Sequence, residues 1–244
     1  GQPLIQLGTV VATAFSLSLV PLIAIAKSKN DKKMIQENIS LSIRVSVLIG
    51  LGAAVGLALL IEPINIMLFQ NSFNSDVLFV LSFSILFSSI ALTGAAILQG
   101  INKALLPACF VIVGIIVKWV LNVSFIPSYG TFGAAISTVL SLAIVAILFI
   151  ISVKKSTGVT VWTASHVYPL AKAVILMSIT LLLYNQIMTY LPMETRMTTT
   201  FTALIGVFIG GSVYIITILK SNFFQEKEIS LLPLGQKLTF LLKK

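Results

Sequence analysis

Long apolar runs separated by short polar connections dominate the chain. The first, residues 4–26, gives way to Lys27, Lys29, Asp31, Lys32 and Lys33, a solvated turn. A second, residues 41–61, has Arg44 near its entry and stops at Glu62-Pro63; a third, residues 77–98, stops ahead of Gln99-Gly100-Ile101-Asn102-Lys103. Residues 105–125 form a fourth run ending at Pro127, and residues 132–153 a fifth ending in Lys154-Lys155. A less apolar stretch through Trp162 and His166 leads to a sixth, residues 169–191, and the seventh, residues 198–219, opens into a polar tail. A spanning helix takes roughly 20 mainly apolar residues, and in hydrocarbon each backbone polar group must be satisfied within its own segment. The pattern therefore predicts an all-α polytopic membrane protein of about seven transmembrane helices, with Pro21, Pro63, Pro107, Pro127 and Pro169 near helix ends.

Composition agrees: 57% of the residues are hydrophobic and 9% charged, with mean hydropathy +1.07, far from the roughly 25% charged residues of soluble domains. The net charge of +9 does not signal nucleic acid, because the basic residues are confined to the connections and the tail. Sorting connections alternately puts Lys27, Lys29, Lys32, Lys33, Lys103, Lys154, Lys155 and tail lysines 220, 227, 237, 243 and 244 on one side. The other side holds Arg196 beside Glu62, Asp76 and Glu194. The positive-inside rule then predicts Gly1 outside and Lys244 in the cytoplasm. With no initiator Met before Gly1, the chain reads as a piece of something longer.

Small residues recur at four-residue spacing: Gly8, Ala12 and Ser16; Gly50, Ala54 and Ala58; Gly133, Ser137 and Ser141; Gly206 and Gly210. Such stripes let helices approach closely, and plain bundle packing accounts for them. Cys109 is the sole cysteine and is expected to pack as a small hydrophobe.

Motifs for catalysis, metal or cofactor binding do not occur: there is no Walker loop, no HExxH, no GxSxG and no paired His or Cys at metal-ligand spacing. His166, the single histidine, is expected in an interfacial loop. The expectation is a protein without cofactor or metal that is not an enzyme. Polar groups inside membrane segments are costly and point to function. Lys118 stands about seven residues, roughly 10 Å, from the outer end of the fourth run. It shares one helical face with Pro107, Val111, Gly114 and Asn122. Two readings stand: Lys118 and Asn122 line a cavity, or Lys118 snorkels to the outer headgroups beside Trp119. For Arg44, nearer the basic end of its helix, snorkelling is the favoured expectation. Gln2 and Gln6 form an i,i+4 pair that either lines a cavity or caps the first helix, while Gln99 and Asn102 read as turn residues.

The stretch Gly1-Gln-Pro-Leu-Ile-Gln-Leu-Gly-Thr-Val-Val-Ala-Thr, continuing to Ser18-Leu19-Val20-Pro21, resembles the helix that opens the second lobe in the lipid II flippase and stage V sporulation protein B group. That group belongs to the multidrug/oligosaccharidyl-lipid/polysaccharide exporter superfamily. The resemblance runs on through Glu62-Pro63 to Leu68-Phe69, Leu98-Gln99-Gly100-Ile101-Asn102-Lys103, Pro107, Lys118 to Asn122, Phe125-Ile126-Pro127 and Gly130 to Gly133-Ala134-Ala135. It covers essentially the whole chain.

The resemblance implies helices eight to fourteen of a fourteen-helix, two-lobe transporter in the bacterial cytoplasmic membrane. Residues 1–155 would supply five helices of the second lobe, residues 156–219 two further helices, and residues 220–244 a cytoplasmic tail. It also implies alternating access for a lipid-linked sugar precursor on an undecaprenyl-type carrier, with a basic cavity for the pyrophosphate and a groove for the isoprenoid tail on the last two helices. Membrane lipids and a missing N-terminal lobe, from the same longer chain or a separate subunit, would be the partners, and nucleic acid would not. The headgroup arginines of the group lie mainly in the first lobe and just ahead of Gly1. Lys118 would then compensate headgroup charge, and Asn122, Gln2 and Gln6 would supply hydrogen bonds, with Arg44 a further cavity candidate. Another lipid-linked oligosaccharide, a cation/drug antiporter lobe and a non-transporting scaffold or remnant are the competing readings; the best intramembrane ion being a lysine rather than an acid argues against cation export. An intramembrane enzyme is the weakest, for want of a His, Asp or Ser constellation.

Overall fold

A computed structural model describes residues 32–69, 74–159, 164–190, 196–221 and 223. The predicted first helix with Gln2, Gln6 and the Gly8 stripe, and the tail beyond 223, lie outside the described residues. Among these residues seven helical segments follow in order: α1 (Lys32–Leu59), α2 (Ile61–Phe69), α3 (Ser75–Ser82), α4 (Ser84–Gly100), α5 (Leu105–Thr157), α6 (Ala164–Thr189) and α7 (Arg196–Lys220). The described residues contain no strand, and five helical stretches are long and apolar enough to cross a membrane.

One of the five is α5, with 53 residues. Straight, it would run about 80 Å at 1.5 Å per residue, against a hydrocarbon core of about 30 Å. It doubles back at Gly130, whose φ of 55° and ψ of −131° leave helical space. Phe110 stacks edge-on against Phe149 at 5.1 Å, Lys103 Nζ donates to Ser156 Oγ at 2.9 Å, and Gly114 abuts Val145. Close to the turn, Gly133 lies against the Phe125 carbonyl, where a Cβ would stand 2.4 Å from the oxygen. Residues paired in this way run in opposite directions along two limbs, so α5 holds both the fourth and fifth predicted spans. Pro127 stays helical, and Gly130 rather than the proline makes the reversal.

α1 is the shared centre, packing on α3, α4, α6 and α7; α5 covers α3 and α4, and α6 pairs with α7. The small-residue stripes sit at these contacts. A Cβ on Gly50 would meet Leu86 and Ser89 of α4, Ala54 and Ala58 are buried, and Gly206 and Gly210 pack on Tyr184 and Leu181 of α6. Hydroxyls inside the bundle donate to carbonyls, as apolar surroundings require: Ser46 Oγ bonds Ser89 O at 2.8 Å and Ser89 Oγ bonds Ile85 O at 2.7 Å.

Several boundaries move. α1 begins at Lys32, ahead of its apolar run, and breaks at Leu60, so Glu62-Pro63 opens α2 rather than ending a span. A proline is tolerated there because first-turn amides lack intrahelical partners anyway. The third run lies within one span, Ser75–Gly100, where Phe83 keeps helical backbone angles at a tightened turn between α3 and α4. His166 lies in α6, not in a loop, and Cys109 is exposed on α5 rather than packed inside. Asn102 adopts φ 62°, in keeping with a turn residue.

Candidate functional site

Between α1 and α7 lies an apolar groove with a volume of about 540 Å³. Its lining includes five glycines, Gly52 and Gly56 of α1 and Gly206, Gly210 and Gly211 of α7. Their environments differ. A Cβ on Gly52 would come within 2.6 Å of the Tyr214 ring, whereas one on Gly56 or Gly211 would meet nothing within 4 Å. Gly56 and Gly211 thus keep the groove open, and Gly52 and Gly206 let its walls close up. Tyr214 bounds it with a hydroxyl that donates to Leu48 O at 2.8 Å. The remaining lining is mainly Leu, Ile, Val, Ala and Met, with no charged residue. Such a surface can take an apolar chain and has no means of holding an ion.

A second cavity, about 620 Å³, lies between α2, α6 and α7 at the end away from the lysines. Glu62, Asn185, Thr199 and Thr202 contribute its polar lining. Asn185 Nδ2 donates to Leu59 O at 2.8 Å, and Tyr184 Oη donates to Thr202 O at 2.7 Å. These bonds stitch the ends of α1, α6 and α7 together.

The membrane-embedded polar residues divide. Lys118 is exposed and stands midway along the first limb of α5, about 18 Å from the turn at Gly130 at 1.5 Å per residue. Asn122, one turn later, is half-buried, and its Oδ1 is buried without a hydrogen-bond partner. Arg44 does not snorkel: it is only 4% exposed, and its Nη1 lies 2.8 Å from His166 Nε2. His166 in turn meets the Phe223 ring edge-on at 5.9 Å. Arg44 and His166 therefore tie α1 to α6. Gln2 and Gln6 are outside the described residues. Among those residues no cluster of three His, Cys, Asp or Glu could hold a metal ion. The contribution of α1 to the groove was not anticipated, although Gly52 and Gly56 carry the same four-residue spacing as the Gly50 stripe.

A family model described as lipid II flippase MurJ matches residues 6–207. The chain belongs to the MurJ lipid II flippase family. Among curated relatives, it is 38% identical over 245 aligned positions to the uncharacterized membrane protein YabM of Bacillus subtilis, covering all of this chain and 46% of YabM. It is 27% identical over 162 positions to the lipid II flippase MurJ of the same organism, covering 64% of this chain and 30% of that protein. The probable low-salt glycan biosynthesis flippase Agl15 of Haloferax volcanii is 30% identical over 137 positions, covering 55% of this chain and 29% of Agl15. The chain spans less than half the length of these relatives. Membership in the MurJ family and the all-α, membrane-crossing fold agree with one another.

Proposed function

We propose that this chain forms the second lobe and the two last helices of a flippase for a lipid-linked sugar precursor, lipid II being the first candidate. The observation that carries this reading is the apolar groove between α1 and α7. At about 540 Å³ it has the size of a drug-sized ligand site, suited to part of an isoprenoid tail. The headgroup is a different problem. A pyrophosphate entering a low-dielectric region needs fixed cations, and exposed Lys118 at mid-limb is placed to act as one, with Asn122 beside it.

Groove and lysine together suit an amphiphile whose tail stays apolar while its anionic headgroup crosses through a wet cavity shared with a first lobe. An inside-negative potential favours outward movement of an anion by about 2.3 kcal/mol per charge per 100 mV. In this reading the end carrying Lys33, Lys103, Lys154, Lys155, Lys172 and Lys220 faces the cytoplasm, as the positive-inside rule requires. A lipid-linked glycan other than lipid II is the second reading, supported by the likeness to Agl15.

The test is lipid retention. The full chain, purified from membranes in mild detergent, should carry isoprenoid-pyrophosphate lipid detectable by native mass spectrometry, and Gly56→Leu combined with Gly211→Leu should abolish it without loss of folding. Equal retention with the groove filled would contradict a tail site there.

A further inference from the structure

The cavity between α2, α6 and α7 sits at the ends of the helices that form it. Asn185 stands four residues before the end of α6 at Thr189, and Thr199 three residues after the start of α7 at Arg196, about 6 Å and 4.5 Å along their helices. Glu62 lies in the first turn of α2. The cavity is therefore at the level where lipid headgroups meet hydrocarbon. Leu60 and Tyr184 both close on Gly206, where a Cβ would stand 2.9 and 3.0 Å from them, so side chains wall the cavity off from the apolar groove.

The polar lining has few protons to give. Thr202 Oγ1 donates to Thr199 O at 2.8 Å, Tyr184 Oη to Thr202 O at 2.7 Å, and Asn185 Nδ2 to Leu59 O at 2.8 Å. A hydroxyl has one proton, so toward a ligand Thr202 and Tyr184 offer lone pairs. The Glu62 carboxylate adds acceptors and a negative charge; it is exposed and makes no hydrogen bond or ion pair among the described residues. Ile61, Pro63, Ile66 and Met188 contribute an apolar lining. At about 620 Å³ the space has the size that takes an organic group. A calcium ion, which gathers about six to eight oxygens around itself, would find one carboxylate there.

We propose that this cavity holds the primary ammonium headgroup of a membrane lipid, with Glu62 as its counter-charge. An ammonium brings three donors and no acceptor, the complement of a lining that accepts, and the apolar residues suit the lipid's glycerol and the start of its chains. An anionic headgroup without an amine is repelled by Glu62. A lipid seated there fastens α2 to the last two helices. The site does not depend on the cargo or on what fills the groove.

The experiment compares lipid retention by the full chain, purified in mild detergent and offered phosphatidylethanolamine or its N-acetylated form with identical chains, read by native mass spectrometry. N-acetylation replaces the ammonium by a neutral amide and leaves phosphate and tails in place. The parent should retain the free amine about tenfold better, as expected for one charge-assisted hydrogen bond, and Glu62→Gln should bring the two lipids to parity. Glu62→Lys should reverse the selection, favouring phosphatidylglycerol over phosphatidylethanolamine. Both changes fall on an exposed side chain, so the fold is kept. Equal retention of the two lipids by the parent, or a preference that survives Glu62→Gln, overturns the proposal. Free ethanolamine at the lipid's concentration is the second arm: the lipid should stay bound, and its displacement would overturn a lipid site in favour of a soluble amine. Gly56→Leu with Gly211→Leu should leave the amine preference intact, so this site and the tail site fail separately; loss of the preference there would overturn a site walled off from the groove.

Discussion

The Tyr214 hydroxyl of α7 donates to the Leu48 carbonyl of α1 at 2.8 Å, and Gly52, one turn beyond Leu48, is what lets the ring come close enough. A Cβ at Gly52 would stand 2.6 Å from the Tyr214 ring. The contact fastens the last helix to the central one and sets a wall of the groove. Tyr214→Phe should cost about 1 kcal/mol, the net worth of one hydrogen bond. Gly52→Ala should cost more, about 1–3 kcal/mol, because the ring must move. Denaturant unfolding of the purified protein in detergent checks both.

The glycines of the groove should separate by stability. Gly56→Leu and Gly211→Leu point into open space and should shift unfolding by no more than about 0.5 kcal/mol. Gly206→Leu pushes against Leu60 and Tyr184, where a Cβ already comes within 3.0 Å, and should cost about 1–3 kcal/mol. The same unfolding assay reads the contrast.

Arg44 and His166 should behave as a coupled pair. His166→Ala removes a partner of a buried guanidinium and should cost about 1.5–3 kcal/mol, the range for hydrogen bonds to charged groups. In an Arg44→Met background the same change should cost much less. A double-mutant cycle on unfolding free energy measures that coupling, and additive costs would contradict it.

The turn in α5 should depend on two glycines for different reasons. Gly130 adopts a backbone conformation closed to residues with a Cβ, so Gly130→Ala should cost about 1–3 kcal/mol. Gly133 has ordinary helical backbone but no room, its Cβ position being 2.4 Å from Phe125 O, so Gly133→Val should splay the limbs. Disulfide trapping between cysteines introduced at Gly114 and Val145 should form readily in the parent and in Gly130→Ala, and fail in Gly133→Val.

The spans were legible because hydrocarbon demands length and apolarity, which a sequence displays directly; that is why residues 105–125 and 132–153 read as two helices, the two limbs of α5 on either side of Gly130. The stripes were legible for a similar reason, since Gly133, Ser137 and Ser141 repeat at the helical period and are all buried. Local tightening of a helix was not. Phe83 carries no turn signature, and the helix merely tightens there between α3 and α4, its backbone staying helical. Arg44 was misplaced because its distance from the helix end suggested solvent, while its partner His166 lies 122 residues away in sequence. Long-range pairing of that kind leaves no local pattern. Lys118 and Asn122 were visible as polar residues in an apolar run, but only the structure shows that the Asn122 oxygen is buried and unmatched.

Transport itself is the most direct measurement of the central claim. The chain should be expressed with and without a first lobe supplied in trans, in cells depleted of their lipid II flippase, comparing the parent with Lys118→Ala and with the filled groove of Gly56→Leu and Gly211→Leu. The account predicts growth only when the first lobe is present, and loss of growth in both variants at equal membrane abundance. Absence of rescue in every combination, with both parts inserted and associated, would contradict lipid II as the cargo; rescue undiminished by Lys118→Ala and by the filled groove would contradict the assigned cation and tail site.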